Sequence, residues 1–234
     1  MDRILSVSML ISGFLLASGC EPSRVTDQSV PRDDPEWVRL HDLYSEQART
    51  GSCKILFLGD SITQGWGNHP AWQTHFAPKN ALHFGIGGDG TQHFLFRIEN
   101  GEIGQLRPKA VIVLIGTNNL AMNDSPADIA AGVGKIVESL RRQLPKSDLF
   151  LLGLLPRGLS RAKAESQEPD PRVPATNALL KKLADNRSVF YLDFGPAFLD
   201  ATGRIPATLM PDFLHLSDEG YERFAECLEP CFPR

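Results

Sequence analysis

Three side chains suited to nucleophilic catalysis occur in the sequence, one in its first third and two near its end. Ser61 follows Gly59 and Asp60 directly after an apolar run, and Asp212 and His215 lie three residues apart. A serine hydroxyl attacks an acyl carbon efficiently when a histidine takes its proton and a carboxylate orients that histidine. The pattern therefore predicts Ser61 as nucleophile, His215 as general base and Asp212 as the residue that orients His215.

Two further blocks carry groups that suit the negative charge of an acyl-transfer intermediate. Gly88 lies in a glycine-rich block after an apolar segment, and Asn118 lies in a polar block after another. Preorganised N–H donors stabilise the oxyanion that forms when a serine attacks an ester. We expect the N–H groups of Ser61 and Gly88 and the side-chain amide of Asn118 to form this oxyanion hole. Asp60, Asp89 and Asn119 are interpreted as residues that hold the loops.

Apolar segments and helical segments alternate along the chain, which indicates a parallel sheet covered by helices. Strands are predicted at 54–58, 81–84, 110–115, 149–154 and 189–193. Helices are predicted around 71–76, 91–100, 126–144 and 174–186, with another before the first strand and a last one from Ser217. The fold class is α/β, a three-layer α/β/α sandwich with about five parallel strands in flavodoxin-like order. Ligands of such sheets bind at the carboxyl ends of the strands, where Ser61, Gly88 and Asn118 follow their strands.

Length and net charge indicate a single domain that does not bind nucleic acid. The chain has 234 residues, a length suited to one domain, and a formal net charge of -4 that offers no electrostatic footprint for nucleic acid. The chemistry proposed needs no metal and no organic cofactor. A zinc site is not expected, because the four cysteines have no partner at ligand spacing.

The N-terminus indicates export. Residues 1–19 read as a signal peptide of the lipoprotein type, with a short apolar core and small residues before Cys20. Acylation of Cys20 would attach the chain to a membrane of the cell envelope, whereas plain secretion or an uncleaved anchor are the alternatives. Residues 20–35 are predicted to be a flexible tether, and residues 36–234 the catalytic domain.

Two features leave alternatives open. Cys53, Cys227 and Cys231 allow at most one disulfide bond if Cys20 is lipidated, and their pairing does not follow from spacing. The charged stretch 157–173 is a long loop after a strand end, so it is expected to border a substrate. Arg157 at its start is first interpreted as an exposed loop residue, with a contact to a leaving group or to another subunit as the alternative.

Four sequence blocks together resemble the SGNH, or GDSL, hydrolase superfamily. They occur in the expected order as Gly59-Asp-Ser-Ile-Thr63, Gly85-Ile-Gly-Gly-Asp89, Gly116-Thr-Asn-Asn119 and Asp212-Phe-Leu-His215. Their details are similar to the catalytic α subunits of intracellular platelet-activating factor acetylhydrolases, from about Trp37 to the last helix. The resemblance implies that Ser61, Gly88, Asn118 and His215 are the four name-giving residues and that Asp212 completes the triad.

The resemblance also implies an acyl pocket and a substrate class. Ile62, Thr117 and Leu214 match the positions that line the acyl pocket, and the bulk of Ile62 and Leu214 favours a short acyl group, above all acetyl. The expected substrate is an O-acetylated carbohydrate or an acetylated lipid. The alternatives are a lysophospholipase or thioesterase for longer chains and a non-catalytic surface lipoprotein. Because the α subunits form dimers, a homodimer is also expected.

Overall fold

A parallel sheet forms the centre of the molecule. The computed structural model describes residues 25–159 and 166–231, and within these ranges the sheet has five strands. The strands are β1 (Ile55–Gly59), β2 (Ala81–Gly85), β3 (Ala110–Leu114), β4 (Asp148–Leu152) and β5 (Val189–Leu192). Their order is β2-β1-β3-β4-β5 and every neighbouring pair is parallel. The predicted α/β class and flavodoxin-like order are therefore confirmed.

Helices connect and cover the strands. They are α1 (Pro35–Thr50), α2 (Ser61–Gly65), α3 (Pro70–His75), α4 (Thr91–Glu99), α5 (Thr117–Ala121), α6 (Pro126–Gln143), α7 (Arg172–Leu180) and α8 (Asp218–Leu228). Helix α6 packs between α4 and α7, while α3 packs on α8. No helix within the described residues is long and apolar enough to cross a membrane.

Three helices begin at the caps that the sequence indicates. Asp34 accepts hydrogen bonds from the N–H groups of Glu36 and Trp37 at the start of α1. Ser125 and Ser217 cap α6 and α8 in the same way. Such caps satisfy N–H groups that have no partner inside the helix, and they are typically worth about 1 kcal/mol each.

Helix α7 differs from its prediction at both ends. It begins at Arg172, because Pro174 is tolerated in a first turn, where its nitrogen needs no hydrogen bond. It ends at Leu180 and continues only as one 3₁₀ turn, Lys181–Leu183. The prediction of a helix over 174–186 is therefore wrong in its extent.

Alternate residues of β1 face opposite layers of helices. The Phe57 ring packs against Trp66, Trp72 and Phe76, on the side that α3 and α8 cover. Trp66 in turn stacks on Phe224 of α8. This aromatic cluster ties α8, which begins just after His215, to the strand that precedes Ser61.

The described part of the predicted tether lies on the domain. Thr26 is buried, and its carbonyl accepts a hydrogen bond from the Thr91 hydroxyl at 2.8 Å. The N–H of Val30 donates to the carbonyl of Gln92 at 3.1 Å. Residues 25–34 therefore pack on the domain and are not the flexible tether that the sequence predicts for 20–35. The signal peptide, Cys20 and residues 21–24 lie outside the described residues.

Three cysteines lie within the described residues. Cys53, Cys227 and Cys231 are free thiols.

The two ends of the 157–173 loop pair with each other through a β-bridge between Gly158 and Pro169. Residues 160–165 of the loop lie outside the described ranges.

Candidate active site

Ser61 opens α2 immediately after β1, at the carboxyl edge of the sheet. The turn before it needs glycine, because a Cβ on Gly59 would lie 2.3 Å from the Leu114 carbonyl oxygen on β3. The Asp60 carboxylate caps the helix by accepting the Ile62 N–H at 3.0 Å. The close packing at Gly59 and the Asp60 cap restrict the backbone conformation of this turn, which places the Ser61 side chain at the sheet edge.

The structure brings Ser61, His215 and Asp212 into one hydrogen-bonded chain. Ser61 Oγ lies 2.9 Å from His215 Nε2, and His215 Nδ1 lies 2.7 Å from Asp212 Oδ2. With the proton on Nδ1, the ring donates to Asp212 and its Nε2 accepts from the Ser61 hydroxyl. This is the arrangement in which a histidine can take a serine proton.

The carboxylate of Asp212 is held in its ionised form. Burial by itself would raise the pKa of Asp212, but the hydrogen bonds from the His215 ring and the His215 and Leu214 N–H groups outweigh it and lower the pKa. An ionised carboxylate at this position can orient the imidazole ring and stabilise a positive charge on it.

The turn that carries Asp212 and His215 is supported by the long loop. Phe213 between them has a φ of 56°, an unusual value for a residue with a side chain. The Phe213 carbonyl accepts the Gly158 N–H at 2.8 Å. The start of the loop is therefore hydrogen-bonded to the turn that carries Asp212 and His215, and its contact with a substrate stays a prediction.

Gly88 lies in a tight turn beside Ser61. The turn spans residues 86–89, is closed by a hydrogen bond from Asp89 N to the Ile86 carbonyl, and holds Gly88 at a φ of 80°. A Cβ on Gly87 would lie 3.6 Å from Ser61 Cβ, so the turn and the serine are neighbours. Gly88 is exposed at this edge.

Asn118 reaches the same turn from the end of β3. Its Nδ2 donates to the Asp89 carbonyl at 2.9 Å, which uses one of the two amide hydrogens. The side chain is partly exposed. The three predicted oxyanion donors therefore come from the ends of β1, β2 and β3, which are adjacent in the sheet.

Asp89 and Asn119 hold these loops, in agreement with their interpretation. The Asp89 carboxylate accepts from Trp37 Nε1 at 2.8 Å and from Arg97 Nε at 2.7 Å. Asn119 is fully buried, accepts the Thr91 N–H and donates to Asp124.

Asp60 is a buried carboxyl directly beside the serine. Its Oδ2 is buried without a hydrogen-bond partner among the described residues. Burial, with a further contribution from Asp89, raises the pKa of Asp60 to about 7.

The interpretation of Arg157 as an exposed residue is wrong. Its side chain is 4% exposed, and Nη1 donates to the Thr117 carbonyl at 2.5 Å and lies 3.3 Å from the Thr117 hydroxyl. Burial lowers the pKa of Arg157. The guanidinium thus fixes the residue before Asn118.

In the sequence, the predicted acyl-pocket residues directly follow Ser61, precede Asn118 and precede His215. Ile62 and Thr117 are buried, whereas Leu214 is partly exposed. The Ile62 carbonyl accepts the Tyr221 hydroxyl of α8 at 2.9 Å, which anchors α2.

Sequence reasoning missed Arg32 and Arg97. Arg32 Nη1 donates to the Gly87 carbonyl at 2.6 Å, next to the predicted oxyanion donor. Arg97 is fully buried and donates to Asp89, Glu102 and the Gly59 carbonyl. Within the described part of the chain, no group of three or more His, Cys, Asp or Glu residues could hold a metal ion.

Comparisons with known proteins identify the family of the chain. The sequence profile of the GDSL-like lipase/acylhydrolase family matches residues 57–223. The human platelet-activating factor acetylhydrolase IB subunit alpha1 is 36% identical over 203 residues, which covers 85% of this chain and 84% of that protein.

Solved structures share the fold at lower identity. A GDSL-like lipase from Bacteroides thetaiotaomicron superimposes with a TM-score of 0.64 at 17% identity, covering 83% of this chain and 95% of that one. An acetyl xylan esterase superimposes with a TM-score of 0.61 at 19% identity, covering 76% and 99%. With the family profile spanning most of the domain, the chain belongs to the GDSL-like lipase/acylhydrolase family and is a carboxylic ester hydrolase.

Proposed function

We propose that the chain removes a short acyl group, above all acetyl, from an ester through an acyl-enzyme on Ser61. The observation that carries this proposal is the chain of hydrogen bonds from Ser61 Oγ through His215 to Asp212, at 2.9 and 2.7 Å. The acetylhydrolase and acetyl esterase names of its relatives support the choice of acetyl.

In the first half of the reaction, His215 Nε2 takes the Ser61 proton while Oγ bonds to the acyl carbon. The carbonyl oxygen becomes an oxyanion, which the N–H groups of Ser61 and Gly88 and the Asn118 amide would stabilise. His215 then gives its proton to the leaving alkoxide. The alcohol departs and the acyl group stays on Ser61.

In the second half, water replaces the alcohol. His215 takes a proton from water, whose oxygen attacks the acyl carbon, and the bond to Ser61 breaks as Oγ regains a proton. Asp212 keeps Nδ1 protonated throughout and stabilises the imidazolium. The products are a carboxylic acid and the free hydroxyl group of the substrate.

The substrate is proposed to be an O-acetylated carbohydrate or an acetylated lipid. The expected export signal and acylated Cys20 would place the domain in the cell envelope, where such esters are accessible. Labelling with a radioactive fatty acid, in the wild type and in Cys20→Ser, tests that location. Incorporation that is equal in both would contradict it.

The catalytic proposal is tested with p-nitrophenyl acetate, butyrate and octanoate. Ser61→Ala should abolish hydrolysis, whereas Ser52→Ala, which alters an exposed serine before β1, should leave it unchanged. A rate that falls steeply from acetate to octanoate supports the short pocket, and a preference for octanoate would favour a lysophospholipase or thioesterase. Equal background rates from the wild type and Ser61→Ala would contradict catalysis.

A further inference from the structure

The peptide between Gly87 and Gly88 carries an N–H group on which the proposed mechanism depends. A positive φ at the third residue of a turn, as at Gly88, is the mark of type II geometry. In a type I turn the same central peptide is turned over, so that its N–H points the opposite way. Because both flanking residues are glycine, neither orientation is excluded by a side chain.

Arg32 contacts this same peptide on its carbonyl side. Its Nη1 donates to Gly87 O at 2.6 Å. The C=O and N–H bonds of a trans peptide point in opposite directions, so a bond that holds the Gly87 carbonyl also sets the direction of the Gly88 N–H. Hydrogen bonds from a charged donor are roughly twice as strong as neutral ones.

The guanidinium of Arg32 is itself held in place. Nη1 lies 3.4 Å from Asp89 Oδ1, and Nη2 lies 3.4 Å from Asp34 Oδ2. It covers Gly88 so closely that a Cβ there would be 3.1 Å from Nη1. Two residues before Arg32, the N–H of Val30 donates a hydrogen bond to the Gln92 carbonyl, which fixes this segment on the domain.

We propose that Arg32 is a positioning residue that holds the Gly87–Gly88 peptide in the orientation that presents the Gly88 N–H to the oxyanion. Arg32 precedes residues 57–223, which match the family profile, so a segment outside the matched range holds a turn of the proposed oxyanion hole. The inference rests on the proposed function, because the oxyanion forms only if Ser61 attacks the ester.

The test compares Arg32→Ala, Arg32→Lys and Arg39→Ala in the full chain, with p-nitrophenyl acetate as substrate. Loss of a single oxyanion donor typically lowers turnover on the order of 100- to 1000-fold, so a misdirected donor should lower kcat by about tenfold or more. KM should change little, because the interaction strengthens in the transition state. Arg32→Lys keeps a cationic donor and should restore much of kcat.

Arg39→Ala is the matched control. It removes an equal charge from the exposed face of α1, where Arg39 pairs with Glu36, and should leave kcat unchanged. An unchanged kcat in Arg32→Ala, or an equal loss in Arg39→Ala, would overturn the inference. A rise in KM alone would also overturn it, since it would mean that Arg32 binds substrate.

Ser61→Ala separates this inference from the proposed function. If Ser61→Ala stays active, the proposed function fails. If Ser61→Ala is inactive and Arg32→Ala is as active as the wild type, only the role of Arg32 fails.

Discussion

Arg97 Nε donates to Asp89 Oδ2 at 2.7 Å, and both side chains are completely buried. Arg97 also donates to Glu102 and to the Gly59 carbonyl, so one guanidinium joins the glycine turn to the end of β1. Removing one partner of a buried ion pair leaves the other charge buried and unpaired. The pair is therefore a structural support of the site rather than part of the reaction.

Arg97→Met should destabilise the fold by about 3–5 kcal/mol, because Asp89 and Glu102 would lose their buried countercharge. The free energy of unfolding in urea measures this. Lys135→Met, which removes an exposed cation paired with Glu138, should change it by less than about 1 kcal/mol. Equal effects of the two substitutions would contradict the role of Arg97.

Asp60 should make stability depend on pH. Its pKa is raised to about 7 in the fold, whereas an unfolded aspartate titrates near 3.9. Between about pH 4 and 7 the unfolded chain therefore loses a proton that the folded chain keeps, and stability falls as pH rises. The loss is at most about 4 kcal/mol and ends above the folded pKa.

Asp60→Asn provides the comparison for this pH dependence. The amide oxygen can still accept the Ile62 N–H, but the side chain no longer titrates. The free energy of unfolding of the wild type, minus that of Asp60→Asn, should decrease from pH 4 to pH 7. A difference that stays constant, or one that increases, would mean that Asp60 is ionised in the fold.

Local signals were sufficient to predict the fold. Asp34, Ser125 and Ser217 cap helices where the sequence indicates, and the buried apolar runs became β1 and β3. An error lies at the C-terminal end of α7, where the helix passes into a 3₁₀ turn and the Asp185 carboxylate then accepts the N–H groups of Ser188 and Val189.

The approach of Ser61, His215 and Asp212 follows from topology, but the burial of two arginine side chains beside the site does not follow from local pattern. Arg32 lies in a proline-containing polar segment, and its contact with Gly87 spans 55 residues. Arg157 lies at the start of a charged loop, and its contact with Thr117 spans 40 residues. Charge and proline content favour exposure, and only the packed fold shows that these guanidinium groups bind carbonyls.

The acyl-chain preference should depend on Ile62 and Leu214. Replacing both by alanine would enlarge the space beside Ser61, and each methylene of substrate buried there is worth about 0.8 kcal/mol. The ratio of kcat/KM for octanoate to that for acetate should then rise by at least about tenfold. Leu214→Ala alone should raise this ratio by a smaller factor. The single variant is included because Ile62 is buried, so its truncation would also destabilise the core.

Leu43→Ala is the control for this change of specificity. Leu43 is 42% exposed on α1, so its truncation should leave the ratio of kcat/KM values unchanged. If the double variant accepts octanoate no better than the wild type, Ile62 and Leu214 do not close the acyl pocket.

Asp212→Asn should lower kcat by on the order of 10³- to 10⁴-fold. The asparagine oxygen can still accept the His215 and Leu214 N–H groups, but its NH₂ group would face Nδ1. The His215 ring would then carry its proton on Nε2, and this nitrogen could no longer accept the Ser61 proton.

Asp218→Asn is the matched control for Asp212→Asn, because Asp218 also contacts a histidine ring, with Oδ1 at 3.1 Å from His69 Nε2. It should keep wild-type kcat, and equal losses in the two variants would show that Asp212 does not act through the tautomer of His215.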